Sequence, residues 1–170
     1  TIQSLLKNNA NSVLSKIETI GFRSFPIKES FEMIYGNKHR SLLCFSGVSQ
    51  QFIDTPSARS EASFTKPLSK FIYVGQFIHR KFPQVVAESL KEVYGNKEYH
   101  LTYVGKQELI FDKVMNYVKS NSLSDQVRFI NHVPREEIIK FYDDAECFIM
   151  ISAAEVFGLV YLEAMSRGCI

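Results

Sequence analysis

From Lys70 onward the chain alternates short apolar runs with amphipathic stretches, joined by connections of only a few residues. Phe71-Ile72-Tyr73-Val74 is apolar without a break, the pattern of a strand covered on both faces, and Gly75 ends it. Pro83 to Tyr94 has helical spacing, with Pro83 suited to a first turn and Gly95-Asn96 as the stop. His100 to Val104 predicts a second strand, ended by Gly105. Glu108 to Lys119 predicts a helix from the spacing of Leu109, Ile110, Val114, Met115 and Val118. Then come a strand at Val127 to Ile130 and a helix at Pro134 to Asp143, whose acidic first turn suits the helix dipole. Cys147 to Ile151 predicts the next strand and Gly158 to Arg167 a closing helix. Such alternation predicts an α/β fold, a doubly wound parallel sheet with helices on both faces. Ligands of these sheets bind beyond the carboxyl ends of the strands. Those ends are Gly75, Gly105, Asn131 to Val133, and Ser152 to Gly158.

The first part of the chain is less regular. Apolar residues at Ile2, Leu5, Leu6, Val13, Leu14, Ile17 and Ile20 predict a helix within Thr1 to Ile20, firm only from about Ser12. Gly21 to Arg40 carries mixed signals, with Pro26 and Gly36 as breakers. Ser41 to Phe45 predicts a strand leading into Ser46-Gly47-Val48, and Gln51 to Leu68 reads as a linker or loop. At the other end, Gly168-Cys169-Ile170 starts an apolar run after a glycine. That pattern announces a further strand, so the chain is expected to be cut from a longer one.

Composition narrows the partners. The net charge is +2 and the basic residues are scattered, whereas a nucleic-acid surface leaves a basic stripe; no nucleic acid is expected. The three cysteines, Cys44, Cys147 and Cys169, lie in or beside apolar runs and predict buried free thiols in a reducing compartment. No CxxC or Cys/His cluster predicts a metal site. No apolar stretch approaches the ~20 residues of a membrane span, and the N-terminal Asn-Asn-Ala-Asn-Ser is unlike a secretory signal. The expected location is cytoplasmic, with peripheral membrane contact left open.

The richest segment runs from Ser152 to Met165, SAAEVFGLVYLEAM. It carries two carboxylates, Glu155 and Glu163, on either side of Phe157-Gly158-Leu159. On the predicted fold Glu155 lies in the loop beyond a strand, Gly158 opens the helix, and Glu163 lies about a turn and a half into it. The amides of Gly158, Leu159 and Val160 have no partner within the helix and favour an anion such as a diphosphate. A carboxylate makes strong paired hydrogen bonds to vicinal hydroxyls, which a ribose or hexose presents.

This segment resembles the E-x7-E motif of the GT-B glycosyltransferases of family 4 (glycosyl transferases group 1), including Glu-x-Phe-Gly-Leu and Glu-Ala-Met-x-x-Gly. The resemblance implies one Rossmann-like half of a GT-B fold and a donor site for a nucleoside-diphosphate sugar. It implies that Glu155 lies beside the donor sugar, that Glu163 holds the ribose, that the Gly158 and Leu159 amides meet the diphosphate, and that Phe157 lines the pocket. Val74-Gly75-Gln76-Phe77-Ile78-His79-Arg80-Lys81-Phe82 resembles the family's V-G-R-x-x-x-x-K-G, whose arginine and lysine neutralise the diphosphate. Lys81 matches; Gln76 stands for the arginine and Phe82 for the glycine. Losing the arginine removes a bidentate phosphate contact, for which Arg80 or His79 are candidates.

Softer matches follow. Tyr103-Val104-Gly105-Lys106-Gln107 resembles v-G-x-G-p without its second glycine. Phe129 to Pro134 resembles F-x-G-x-v, where backbone groups near Val133 hold the nucleobase; Asn131 replaces the glycine and tolerates left-handed angles best. Leu43 to Val48 faintly resembles the segment joining the two GT-B domains. Residues 1–68 are then the end of the acceptor domain or linker, and 69–170 an incomplete nucleotide-sugar-binding domain.

The resemblance implies a retaining transfer from a nucleoside-diphosphate sugar to a glycan, glycolipid or protein acceptor, without a bound metal, as in polysaccharide biosynthesis. Lys81 and Glu155 would be the catalytic pair and the chain inactive alone. Two alternatives stand beside it, a GT-B sugar-nucleotide epimerase or phosphorylase and a non-catalytic nucleotide-binding or assembly module. Gln76 and Phe82 keep the second in play. His39 and His100 read as structural or surface residues, and His132 as a turn residue.

Overall fold

A computed structural model describes residues 10–54, 67–95, 97–155 and 157–170. The expected helix over residues 1–9, linker residues 55–66, Asn96 and Val156 lie outside the described residues. The chain forms two compact units, Thr1–Gly47 and Val48–Ile170.

In the first unit, residues 10–14 are helical. β1 (Thr19–Phe22) and β2 (Arg40–Leu43) pair in parallel, with Ile20 opposite Ser41, and α1 (Phe25–Tyr35) connects them. Thr19 and Ile20 are therefore strand, where periodicity predicts helix. The β-branched side chains of Thr19 and Ile20 fit a pleated strand, and a partner strand overrides the spacing. Pro26 lies in the first turn of α1, where a missing N–H costs nothing, so this breaker starts a helix.

The second unit holds α2 (Gln50–Asp54), β3 (Lys70–Val74), a 3-10 turn (His79–Lys81), α3 (Pro83–Tyr94), β4 (His100–Val104), α4 (Phe111–Ser120), β5 (Val127–Ile130), α5 (Arg135–Asp144), β6 (Cys147–Phe148) and α6 (Leu159–Ser166). The four strands are parallel in the order β5-β4-β3-β6. Alternate side chains enter two cores. Phe71, Tyr73, Leu101 and Tyr103 pack with Val86 and Leu90 of α3 and Val114 of α4. Ile72, Val74 and Val104 pack with Phe52 of α2, Ile139 and Tyr142 of α5, and Ala164 of α6. Covering both faces explains the unbroken apolar run of β3. The fold is the expected doubly wound α/β sheet.

Arg167, at the carboxyl end of α6, is buried among these helices. Its Nε and Nη2 donate to the two carboxylate oxygens of Asp143 (2.8 and 2.9 Å), and Nη1 donates to the Phe52 carbonyl (3.0 Å). The guanidinium thus joins α2, α5 and α6.

Three boundaries differ from expectation. α2 occupies the start of the expected linker, because Phe52 is fully buried against Tyr142. α4 begins at Phe111 because the Ile110 amide donates to the Phe77 carbonyl (3.2 Å), tying residues before the helix to the loop after β3 and leaving Leu109 exposed. β6 pairs only through Cys147 and Phe148, with one further bond from the Ile149 amide to the Ile72 carbonyl (2.9 Å). Met150 then turns away, its carbonyl accepting from Tyr161 Oη (2.9 Å). Beyond α6, Ile170 bonds alongside β6, donating to Glu146 and accepting from Phe148. No helix among the described residues is long and apolar enough to cross a membrane.

Candidate functional site

The strand order reverses at β3, which lies between β4 and the later β6. Ligands of doubly wound sheets bind in the crevice at such a reversal, here beyond the carboxyl ends of β3 and β6. The backbone fixes the β3–β4 wall of this crevice tightly. The Gly75 amide donates to the Val104 carbonyl and the Gly105 amide to that of Ile130. A Cβ on Gly105 would lie 1.9 Å from the Gly75 carbonyl oxygen, so only glycine lets the two loops touch. A Cβ on Gly75 would press within 3.3 Å of Lys81 Cδ.

Lys81 ends the 3-10 turn and is largely buried. Its Nζ lies 3.2 Å from Glu155 Oε1 and 3.5 Å from Met150 Sδ. Arg80 Nη1 reaches the same Glu155 oxygen (3.3 Å) and donates to the Ala154 carbonyl (2.7 Å), while the Ala153 amide donates to the Arg80 carbonyl (2.8 Å). Desolvation pushes the Glu155 carboxyl pKa up. Hydrogen bonds from Ser152 and Lys81, and the charges of Lys81 and Arg80, outweigh it and hold the group below its ordinary range. Nearby Tyr73 is shifted up by burial first and by the Glu155 charge second; its hydroxyl donates to the Gln76 carbonyl (3.0 Å).

Phe82 follows Lys81 with φ 41° and ψ 46°, a left-handed conformation that a glycine adopts without strain. At the position of the resembled motif's glycine, a phenylalanine thus takes a conformation that glycine favours. Gln76 is exposed, and among the described residues its side-chain amide has no hydrogen-bond partner. It is not brought to the cluster; Arg80 is.

Gly158 caps α6 with φ 71°, and a Cβ there would also meet the Tyr161 ring at 2.7 Å, so the turn requires glycine. The amides of Leu159 and Val160 belong to the first turn, which leaves them without intrahelical acceptors. Phe157 and Leu159 are half-buried beside this turn. Glu163 lies deeper. Arg135 Nη2 donates to its Oε1 (2.6 Å), and Tyr142 Oη donates to its Oε2 (3.4 Å). Burial, and then the Glu163 charge and hydrogen bond, push the Tyr142 hydroxyl well up, so it stays a donor. Val133 is half-buried and packs on the core beneath α5.

Arg135 and Tyr142 escaped the sequence reading. The seven-residue separation that puts them on one face of α5 was the available signal. Asn131 departs from expectation: among the described residues, only Phe82 and Ser122 are non-glycine residues with positive φ. Instead Asn131 Oδ1 accepts from the amide of the next residue, His132 (2.7 Å). Among the described residues no group of three or more His, Cys, Asp or Glu could hold a metal ion.

A cavity of about 730 Å³ lies at the amino ends of β3, β4 and β5, between Arg128, Phe141 and Asp144. It shares no residue with the Lys81–Glu155 cluster, which lies at the carboxyl edge of the sheet.

Residues 54–170 match the family model of the glycosyl transferases group 1. The chain belongs to that family. A 63-residue stretch is 33% identical to mannosylfructose-phosphate synthase of Agrobacterium fabrum, covering 37% of this chain and 14% of that protein. The sucrose-phosphate synthase of Thermosynechococcus elongatus superposes with a TM-score of 0.73 at 23% identity, covering 96% of this chain and 42% of that one. Anabaena HepE, solved with UDP and glucose, gives 0.71 at 15%, covering 89% and 43%. The chain therefore spans less than half the length of these relatives. The sheet is that of a GT-B glycosyltransferase.

Proposed function

We propose that this chain is the donor-binding part of a retaining, family 4 glycosyltransferase that moves a sugar from a nucleoside-diphosphate sugar to a saccharide, lipid-linked or protein acceptor. The observation that carries this is the meeting of Lys81 with Glu155 (3.2 Å) at the strand-order reversal, on the two loops named by the resembled motifs. Lys81 and the Leu159 and Val160 amides stabilise charge growing on the departing diphosphate. Glu155, kept ionised by its partners, positions the sugar and stabilises positive charge on it. Glu163 accepts from the ribose hydroxyls, Val133 lies against the nucleobase, and Phe157 closes the sugar side. Gly75 lets the Lys81 stem pass, and Gln76 leaves the diphosphate to other residues. Phosphate charge is met by cationic side chains and helix amides, so the reading needs no metal.

Residues 69–170 are taken as the donor-binding domain, and 1–68 as acceptor-domain end and linker. The acceptor is met by a domain beyond this chain, and the chain alone is inactive. The location proposed is cytoplasmic, with membrane contact left to the full-length protein. HepE, crystallised with UDP and glucose, makes UDP the first nucleotide to try.

Titration calorimetry of this chain and of the full-length protein with UDP, GDP and ADP tests the reading. Selective binding of one of them, weakened at least tenfold by Glu163→Ala, supports it. A folded full-length protein that binds none would instead be a non-catalytic module, the reading that exposed Gln76 favours.

A further inference from the structure

Two cations converge on one carboxylate oxygen in the crevice, and only one of them stands where the family motif calls for a cation. Building on the donor-site reading above, we propose that Arg80 is the second diphosphate-binding cation of this chain, replacing in space the charge that position 76 lacks.

A nucleoside diphosphate brings two or more negative charges, which a single lysine leaves under-neutralised. Position 76 carries an uncharged, exposed side chain without hydrogen-bond partners among the described residues. Arg80 lies in the 3-10 turn, directly before Lys81. Its Nη1 and Lys81 Nζ both come within 3.3 Å of Glu155 Oε1. Groups that can surround one carboxylate oxygen can flank one phosphate oxygen equally well, since both are anionic acceptors of similar reach.

The Arg80 fork has donors to spare. Among the described residues only Nη1 is engaged, with Ala154 and Glu155, which leaves Nη2 and Nε for a second acceptor. The Arg80 side chain is 46% exposed, so a ligand can reach it. Its backbone is nonetheless fixed, because the Arg80 carbonyl accepts from the Ala153 amide of the opposite loop. A guanidinium held at its root and open at its tip offers two parallel N–H groups to a phosphate, which a lysine ammonium cannot. Glu155 then has a second task, aligning both cations through its shared oxygen.

The test uses the full-length protein, with UDP, GDP and ADP each compared with its monophosphate, in wild type, Arg80→Ala, Arg80→Lys, Lys81→Ala and Glu163→Ala. The proposal expects Arg80→Ala to lose about tenfold or more in affinity for the preferred diphosphate and clearly less for its monophosphate. Arg80→Lys falls between wild type and alanine, and Gln76→Arg restores diphosphate affinity in the Arg80→Ala background. A purely structural tether between the loops would lower both nucleotides alike and gain nothing from Gln76→Arg. That result, or an Arg80→Ala protein with wild-type affinity while Lys81→Ala and Glu163→Ala bind weakly, overturns the proposal. If Lys81→Ala and Glu163→Ala also bind as wild type, the donor-site reading itself fails and takes this inference with it.

Discussion

Glu155 and Glu163 come from one short motif, but the fold gives them opposite surroundings. The Glu155 side chain is 26% exposed, sits in a loop, and is paired across the crevice by Lys81 and Arg80 from the other half of the sheet. The Glu163 side chain is 9% exposed, rides on α6, and is paired by Arg135 and Tyr142 of the neighbouring helix. One carboxylate is placed by long-range loop contacts and the other by helix packing. Sequence spacing alone gives both the same status; packing separates a group that can adjust from one that is set.

The largest effect should come from cutting the helix side. Arg167→Ala removes a buried guanidinium that binds Asp143 and the Phe52 carbonyl, at a cost of about 3 kcal/mol in a denaturant melt. In whatever fraction stays folded, nucleotide affinity should fall with it. Wild-type stability would mean that α6 is held mainly by its apolar contacts. Cutting the loop side comes next. Gly105→Ala drives a methyl into the Gly75 carbonyl and should cost about 3 kcal/mol. It should displace Lys81 from Glu155 before it touches the Arg135–Glu163 pair. Equal disturbance at both carboxylates, read from amide shifts, would erase the distinction drawn between them.

A subtler test uses protons. Because its pKa is lowered on folding, ionised Glu155 stabilises the folded chain fully above the ordinary glutamate range, and this contribution is lost as pH falls through the lowered value. Lys81→Met should move the Glu155 carboxyl pKa upward, read from its side-chain carbon resonance, so that its contribution shrinks and its acid loss is complete at a higher pH. An unmoved resonance would assign the downward shift to Ser152 and Arg80. The smallest effect is expected at Phe82→Gly, which relieves a left-handed phenylalanine and should raise stability by about 1 kcal/mol without weakening the nucleotide. A loss of stability would show that the ring's packing outweighs the strain.

Much of the sheet was legible because its strands combine unbroken apolar runs with glycine stops. His100 to Val104 and Val127 to Ile130 are strands over those same residues. Boundaries set by a distant backbone partner were not legible. Nothing local in Leu109-Ile110 says that the Phe77 carbonyl will take the Ile110 amide, and nothing in Thr19-Ile20 names β2 as a partner. At the site the difference is similar. The positions of Glu155, Gly158 and Glu163 followed from the motif, whereas the direction of Arg80 depends on the opposite loop. Arg135 looked like part of an acidic helix start, and only the packing of α5 on α6 turns it toward Glu163.

Arg167 also has a mechanical consequence. Four residues separate it from Glu163, little more than one helical turn, while its guanidinium grips the carbonyl of Phe52 near the point where the chain enters this unit. A pull on that entering segment is therefore carried through one helical turn to the deeper carboxylate, while the shallower one is anchored to the opposite loop and lies outside that line of force.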